Sequence, residues 1–183
     1  MLQPDFTPFP ELVTERLLLR RLTLNDAPEI FFLRSDASIL QFLGKAPAAS
    51  IDDAVTFIHS INNNIETNNG ILWAITLKDD PETTIGTICY WRLEPEHYRA
   101  EIGYALHPQY WRKGIMREAI VTVLEYGFTI MQLHSVEARI NAANKASAGI
   151  LEANGFVREA YFKEDFYYNG KFEDTAVYSR LQY

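Results

Sequence analysis

The sequence predicts a single α+β (mixed α/β) domain built on one central, mostly antiparallel sheet. Apolar residues alternate with polar ones over several short runs, which is the period of a half-buried strand, and elsewhere they recur at helical spacing. Several short strands follow one another in mid-chain with only turns between them, which favours an antiparallel meander. Asn169-Gly170, between two β-rich runs, predicts a closing hairpin. The order β-α-α-β-β-β-α-β-α-β-β gives about seven strands and about four helices.

The first third of the chain predicts an arm, a strand and two helices. Residues 1–13 carry three prolines and no periodicity, so we expect an extended N-terminal arm, followed by a single domain over residues 14–183. An apolar strand is predicted at residues 17–22. Each helix begins with a capping box, in which Ser or Thr precedes an acidic residue by three positions: Thr23 with Asp26, and Ser50 with Asp53.

Changes of period predict the remaining elements. Alternation predicts three strands in mid-chain, at residues 73–77, 84–93 and 100–106. From Gly114 the apolar residues recur at helical spacing, and a strand follows at residues 135–140. The last helix has a polar N-cap and a C-terminal glycine, which are Asn144 and Gly155.

Composition and charge exclude several classes of protein. A chain of 183 residues can bury a core without disulfides, and its one cysteine, Cys89, excludes a disulfide framework. Its four histidines show no ligand spacing, so no metal is expected. No apolar run approaches the ~20 residues of a membrane span, and the N-terminus lacks the features of a secretory signal, so we expect a cytoplasmic protein. The net charge of −7 argues against nucleic-acid binding and favours cationic partners.

The most informative segment is the start of the helix that follows Gly114. A helix N-terminus presents unpaired N–H groups and the positive end of the helix dipole, which together bind anions. Arg112, Lys113 and Arg117 add three positive charges in a chain that is acidic overall. These residues indicate a phosphate or pyrophosphate ligand, and a surface turn with solvated cations is the alternative. Neither a P-loop nor a dinucleotide-binding glycine pattern is present.

The segment 111–116, Trp-Arg-Lys-Gly-Ile-Met, resembles motif A of the GNAT acetyltransferases, whose pattern is Gln/Arg-x-x-Gly-x-Gly/Ala. It is most similar to the RimJ/RimL branch, although Arg112 stands where that branch usually has Gly. Met116 replaces a small residue and Arg117 replaces the usual Thr. Further segments match that branch in order and spacing, and extend the resemblance from Thr14 to Leu181: residues 14–20, residues 101–104, Asn141-x-x-Asn144-x-x-Ser147, Asn154-Gly155-Phe156 with Glu159, and residues 169–172 leading to Asp174.

The resemblance implies the GNAT acyl-CoA N-acyltransferase fold, a mostly antiparallel mixed sheet, with acetyl-CoA as co-substrate and no metal. The cofactor would lie where the strand at residues 101–106 splays from the strand at residues 135–140. A bulge near Ala105-Leu106 would free backbone groups to pair with the pantetheine arm. The resemblance assigns eight residues to the cofactor: Ala105, Leu106, Arg112, Lys113, Gly114, Ile115, Met116 and Asn144.

The resemblance also implies residues that move protons. An acceptor ammonium must lose a proton, and the leaving thiolate benefits from gaining one. Glu159, on a strand expected beside the thioester, is the first candidate for the base, Glu101 is the second, and Ser147 is the candidate acid. Each has a structural alternative: Glu159 as a solvated residue beside Arg158, Glu101 as an ion pair with Arg139, Ser147 as a residue of a helix first turn, and Asn144 as a helix cap only.

The expected function is therefore an acetyl-CoA-dependent N-acetyltransferase that transfers acetyl directly to a primary amine, with a protein N-terminus as the favoured acceptor. An acetyltransferase of a small amine (a polyamine, amino acid or antibiotic) is the first alternative. A non-catalytic acyl-CoA-binding sensor is the second. The aromatic-rich terminal hairpin is a surface through which a homodimer could form.

Overall fold

The computed structural model describes residues 1–183 and contains one eight-stranded sheet with five helices. The strands lie in the order β1-β2-β3-β4-β5-β6-β8-β7, and all neighbouring strands are antiparallel except β5 and β6. The predicted α+β architecture is confirmed, with one more strand and one more helix than the sequence predicts. In chain order the elements are β1 (Leu12–Val13), β2 (Leu17–Arg20), α1 (Ala27–Leu33), α2 (Ala37–Leu40), α3 (Ile51–Glu66), β3 (Ile71–Leu77), β4 (Gly86–Glu94), β5 (Arg99–Leu106), α4 (Ile115–Thr129), β6 (Ser135–Asn141), α5 (Lys145–Ala153), β7 (Val157–Tyr168) and β8 (Lys171–Leu181).

The two additional elements are too short to show a period in the sequence. β1 consists of two residues that pair with β2. α2 is a single turn held by the Asp36 carboxylate, which accepts hydrogen bonds from the backbone N–H groups of Ser38 and Ile39. The segment before β1 packs on the sheet, because Leu2 and Phe6 are buried in the larger hydrophobic core.

Caps define the helix and hairpin boundaries that the sequence predicts. Asn144 caps α5, since its side-chain oxygen accepts the backbone N–H of Ser147 at 3.0 Å. Gly155 follows α5 with a φ of +78°, a conformation that glycine adopts without strain. Asn169 and Gly170 both have positive φ and join β7 to β8 in a two-residue turn, as a type I′ hairpin requires.

Hydrophobic cores lie on both faces of the sheet. Successive residues of a strand point to opposite faces, and β3 shows the consequence. Trp73 and Ile75 enter the larger core with α4 and α5, whereas Leu72 and Ala74 enter the smaller core with α1 and α3. The first half of the sheet is therefore covered on both sides.

β5 and β6 separate almost as soon as they pair. Their parallel ladder contains only Arg99–Glu101 opposite Ser135–Glu137. Residues 102–106 of β5 continue without a partner strand on that side, while the whole of β6 stays paired with β8 on its other edge. The splay predicted between these strands is confirmed, and it leaves one edge of β5 open.

The bulge predicted near Ala105-Leu106 is wrong. The ladder between β4 and β5 keeps one register from Glu101 to Leu106, and the only shift in it follows Trp91, where Arg92 has a φ of +46°. No bulge is needed to expose the β5 backbone, because the departure of β6 leaves that edge without a partner.

Candidate active site

A cleft of about 730 Å³ opens where β5 and β6 diverge. Its walls are the second half of β5, the first turns of α4 and α5, and residues 38–43 of α2 and the loop after it. The cleft brings together Ser147 and seven of the eight residues that the sequence assigns to the cofactor, all except Lys113: Ala105, Leu106, Arg112, Gly114, Ile115, Met116 and Asn144.

The loop of residues 111–114, which we call the anion loop, lines the cleft just before α4 and has the backbone geometry of an anion site. Arg112 and Gly114 both adopt left-handed conformations, with φ of +59° and +76°, and α4 begins at Ile115. The N–H groups of the first helical turn have no partner within the helix, so they are left to bind an anion. The positive φ of the usual glycine is thus retained at Arg112, although a left-handed conformation costs a non-glycine residue roughly 1–2 kcal/mol.

An indole ties the anion loop to the opposite wall of the cleft. The Trp111 Nε1–H donates a hydrogen bond to the Leu106 carbonyl oxygen at 2.8 Å. Leu106 is the last residue of β5. This single contact therefore fixes the distance between the β5 edge and the start of α4.

Ser147 has separate partners for its backbone and its side chain. Its backbone N–H donates a hydrogen bond to the Asn144 side-chain oxygen, which caps α5. Its hydroxyl lies 2.8 Å from the Tyr104 hydroxyl inside the cleft. Burial raises the pKa of Tyr104 to about 12. Both hydroxyls are consequently protonated at neutral pH and lie beside the open edge of β5.

Glu101 lies where the two strands part, directly opposite Glu137 of β6. It is 6% exposed and occupies the last paired position before the splay, on the face of the sheet opposite α4. Its direct partner is Arg92, whose Nη1 donates to Oε2 at 3.2 Å, rather than the predicted Arg139, which lies closest to Glu137 at 3.9 Å. Burial raises the pKa of Glu101, and the charge of Arg92 offsets this only in part.

Glu159 lies away from the cleft. It is exposed on β7, the edge strand, at a register shift between Arg158 and Ala160. The expectation that its strand runs beside the thioester is wrong, because β8 lies between β7 and β6. At ~4.8 Å per strand, this order separates the backbones of β7 and β6 by about 10 Å.

Comparison with known proteins identifies the family. The profile of the acetyltransferase (GNAT) domain matches residues 16–157. The chain belongs to the GNAT family. The uncharacterized N-acetyltransferase YoaA of Bacillus subtilis (strain 168) is 37% identical over 171 residues, which is 93% of this chain and 96% of that protein. The predicted family, fold and enzyme class are therefore confirmed: the protein is a GNAT acyltransferase.

Two further GNAT relatives are named for different acceptors. The ribosomal-protein-serine acetyltransferase of Escherichia coli (strain K12) is 28% identical over 97 residues, which cover 53% of this chain and 54% of that protein. The crystal structure of spermidine N-acetyltransferase from Vibrio cholerae in complex with CoA and spermine has a TM-score of 0.82 and is 26% identical. That match covers 92% of this chain and 97% of the other. The comparisons thus support N-acetyl transfer without selecting the acceptor.

A second depression adjoins the cleft of this GNAT domain. It measures about 560 Å³ and shares Gln41, Phe42 and Lys145 with the cleft wall. Its far side is the β7–β8 hairpin, where Tyr161 donates a hydrogen bond to Asp174 and Asn141 Nδ2 donates to Glu173 at 2.6 Å. Three carboxylates and two lysines line this depression, so its formal charge is only slightly negative and it favours a cationic occupant weakly: Glu164, Glu173, Asp174, Lys145 and Lys171.

Among the cleft residues that the sequence analysis does not assign, two make side-chain hydrogen bonds to other cleft residues: Tyr104 and Trp111. Tyr104 lies two residues before Leu106 on β5, so strand alternation places both on one face, and this spacing is a signal in the sequence. Trp111 has no such signal, because its contact with Leu106 depends on how the intervening loop folds.

The structure contains no candidate metal site and no candidate membrane-spanning helix. No three or more His, Cys, Asp and Glu side chains are grouped so that they could hold a metal ion. No helix combines the length and hydropathy needed to cross a bilayer.

Proposed function

We propose that the cleft binds acetyl-CoA and that the protein transfers the acetyl group directly to a primary amine. The observation that carries the proposal is the unpaired edge of β5 leading to an anion loop with two left-handed residues. The pyrophosphate would meet the N–H groups of residues 112–116 and the Arg112 guanidinium. Asn144, at the cleft wall, would contact the CoA arm while it caps α5.

The open edge of β5 supports a specific role for its backbone. A strand edge without a partner presents N–H and C=O groups that an extended ligand can pair with, as an added strand does. The pantetheine arm, which carries two amides, suits residues 102–106 in this way. An N–H near the splay would then donate to the thioester carbonyl and stabilise the oxyanion of the tetrahedral intermediate.

For the proton transfers we favour Glu101 as the base and Ser147 as the acid. Glu101 is buried where the strands part, and its raised pKa makes it a stronger base than an exposed carboxylate. The Ser147 hydroxyl, hydrogen-bonded to Tyr104, would give its proton to the leaving thiolate and regain one from its neighbour. Glu159 stays the alternative base, with less structural support because it is exposed on the edge strand.

A protein N-terminus is the proposed acceptor, as in the RimJ/RimL branch, which the chain's motifs resemble in order and spacing. The second depression supports it, because it adjoins the cleft as an open surface, lined by three carboxylates and two lysines, on which a polypeptide can continue beyond its α-ammonium group. A polyamine is the second candidate, favoured by the same carboxylates and by the spermidine acetyltransferase relative.

Calorimetry with CoA tests the cofactor site. Gly114→Asp would add a side chain and a negative charge where the pyrophosphate is placed, and it would strain a position with a φ of +76°. We expect CoA affinity to fall by at least tenfold, which is about 1.4 kcal/mol, while circular dichroism shows an intact fold. Unchanged affinity would contradict the assignment.

Thiol release from acetyl-CoA then separates the functions. Turnover with peptides that have free N-termini supports the first acceptor, and turnover with polyamines alone supports the second. CoA binding without thiol release on either panel supports a non-catalytic sensor.

A further inference from the structure

The N-terminal segment before β2 holds the anion loop from the side away from the cleft. Arg16 Nη1 donates a hydrogen bond to the Lys113 carbonyl oxygen at 3.0 Å. Its Nη2 lies 3.4 Å from where a Cβ on Gly114 would be. A residue nearly a hundred positions earlier in the chain therefore packs directly against the left-handed turn that begins α4.

Glu118, in the first turns of α4, fixes this arginine in place. Glu118 Oε2 accepts a hydrogen bond from Arg16 Nε at 2.7 Å and forms an ion pair with Arg16 Nη2 at 2.7 Å. Its Oε1 accepts the Arg16 backbone N–H at 3.0 Å and the Thr14 hydroxyl. Burial would raise the pKa of Glu118, but the bonds from Thr14 and Arg16 outweigh it and lower the pKa. The carboxylate is thus ionised and saturated with donors from one short segment.

The position of Glu118 gives the pair an electrostatic role. A carboxylate near a helix N-terminus interacts with the same positive dipole that an anionic ligand uses. An uncompensated Glu118 would therefore oppose a pyrophosphate at the same helix start. Arg16 cancels that charge and, through Lys113, restrains the backbone on which the anion site depends.

We propose that Arg16 and Glu118 form a brace that sets the affinity of the anion loop for the phosphate end of acetyl-CoA. The inference rests on the proposed cofactor site. Both are positioning residues, because Arg16 bonds the loop backbone and Glu118 holds Arg16. Neither lines the cleft.

Four variants, one control variant and two acyl donors test the brace. Acetyl-CoA carries the pyrophosphate, whereas acetylpantetheine has the same thioester and arm without it. For Arg16→Ala we expect the KM for acetyl-CoA to rise about tenfold with kcat little changed, since one charge-assisted contact is worth roughly that factor. With acetylpantetheine, kcat/KM should stay at the parental value.

The double variant Arg16→Ala with Glu118→Gln provides the sharpest expectation. The second substitution removes the carboxylate that the first leaves uncompensated, so the KM for acetyl-CoA should fall back toward the parental value. Glu118→Gln alone should raise the KM for acetyl-CoA less than Arg16→Ala does. Arg16→Lys should also raise this KM less than Arg16→Ala does, because lysine keeps the positive charge. A purely structural role predicts additive damage instead of this rescue.

Arg21→Ala is the matched control. Arg21 pairs with Glu66 at 2.8 Å on the surface, away from the cleft, so its loss should leave the KM for acetyl-CoA unchanged. Three outcomes would each overturn the proposal. They are an equal loss of kcat/KM with both acyl donors, no rise in the KM for acetyl-CoA in Arg16→Ala, and no fall of that KM when Glu118→Gln is added. If Gly114→Asp also leaves CoA affinity unchanged, the cofactor site itself is refuted. If Gly114→Asp weakens CoA binding and Arg16→Ala does not, the cofactor site is supported and the proposed brace is refuted.

Discussion

Replacement of Glu101 by Gln should abolish most turnover and leave the fold intact. Gln keeps the shape of the side chain and an oxygen that can accept the hydrogen bond from Arg92, but it cannot take a proton. The carboxylate is 6% exposed and has one direct hydrogen-bond donor, at 3.2 Å, on a half-exposed arginine. Its ionised form is therefore weakly compensated, which is why burial raises its pKa above the ordinary 4.5.

The size of the effect follows from these contacts. A positioned base contributes about 10²–10⁴ in rate, or roughly 3–5 kcal/mol of barrier. Because the folded state raises the pKa of Glu101, it holds the proton more tightly than the unfolded chain does. Ionisation of Glu101 therefore destabilises the fold, and the stability present at low pH is lost as pH rises through the folded pKa. Glu101→Gln should accordingly melt at the parental temperature or above it at pH 7.

The pH dependence of kcat/KM is the decisive assay, measured by thiol release with whichever acceptor gives turnover. In the parental enzyme, kcat/KM should fall at acid pH as Glu101 becomes protonated through its raised pKa. In the Gln variant this dependence on Glu101 should be absent, and the low kcat/KM should rise only at the higher pH at which the acceptor amine itself loses its proton. Glu159→Gln is the matched comparison, because it removes an exposed carboxylate from the edge strand. If Glu159→Gln loses the acid limb and Glu101→Gln keeps it, the assignment is reversed.

Three further substitutions probe the site and the fold. Ser147→Ala should lower kcat about tenfold or more with little change in CoA affinity by calorimetry, and an unchanged kcat would make this residue a helix-start residue only. Asp26→Asn should cost about 3–5 kcal/mol in urea unfolding, because Asp26 accepts hydrogen bonds from Arg20 at 2.7 and 2.9 Å in a buried site. Burial opposes the ionised form of Asp26 but hydrogen bonds led by Arg20 lower its pKa, so this stabilisation should disappear only as pH falls below 3.8. Gly127→Ala should cost about 1–3 kcal/mol, since a Cβ there would lie 2.4 Å from the Tyr90 hydroxyl oxygen, and a neutral effect would show that α4 can shift.

Local signals in the sequence predicted much of this structure. The N-cap at Asn144, the start of α4 after Gly114 and the turn at Asn169-Gly170 each depend on a few neighbouring residues whose backbone preferences are strong. The grouping of the residues assigned to the cofactor in one cleft followed for the same reason, because most of them lie in one continuous segment after β5.

Features that depend on contacts between distant segments were not predictable in this way. The insertion of β8 between β6 and β7 is a matter of strand order, which alternation does not encode, and it moves Glu159 away from the cleft. The partner of Glu101 was misassigned for a related reason. Arg92, which contacts it, lies at the register shift in β4 and has a left-handed backbone, a detail of pairing that the residue types do not reveal.

The divergence of β5 and β6 has a mechanical consequence. The sheet consists of two panels, one of strands β1 to β5 and one of strands β6, β8 and β7. Their direct backbone connection is a ladder of three residue pairs. A ligand that fills the gap along β5 would lengthen this connection and act as a tie between the panels. Its binding energy would then add to the stability of the whole fold, by about 2.7 kcal/mol at a hundred times Kd. Amide exchange at residues 102–106 would slow together with exchange on the far panel, so cofactor supply would govern how firmly the two panels are joined.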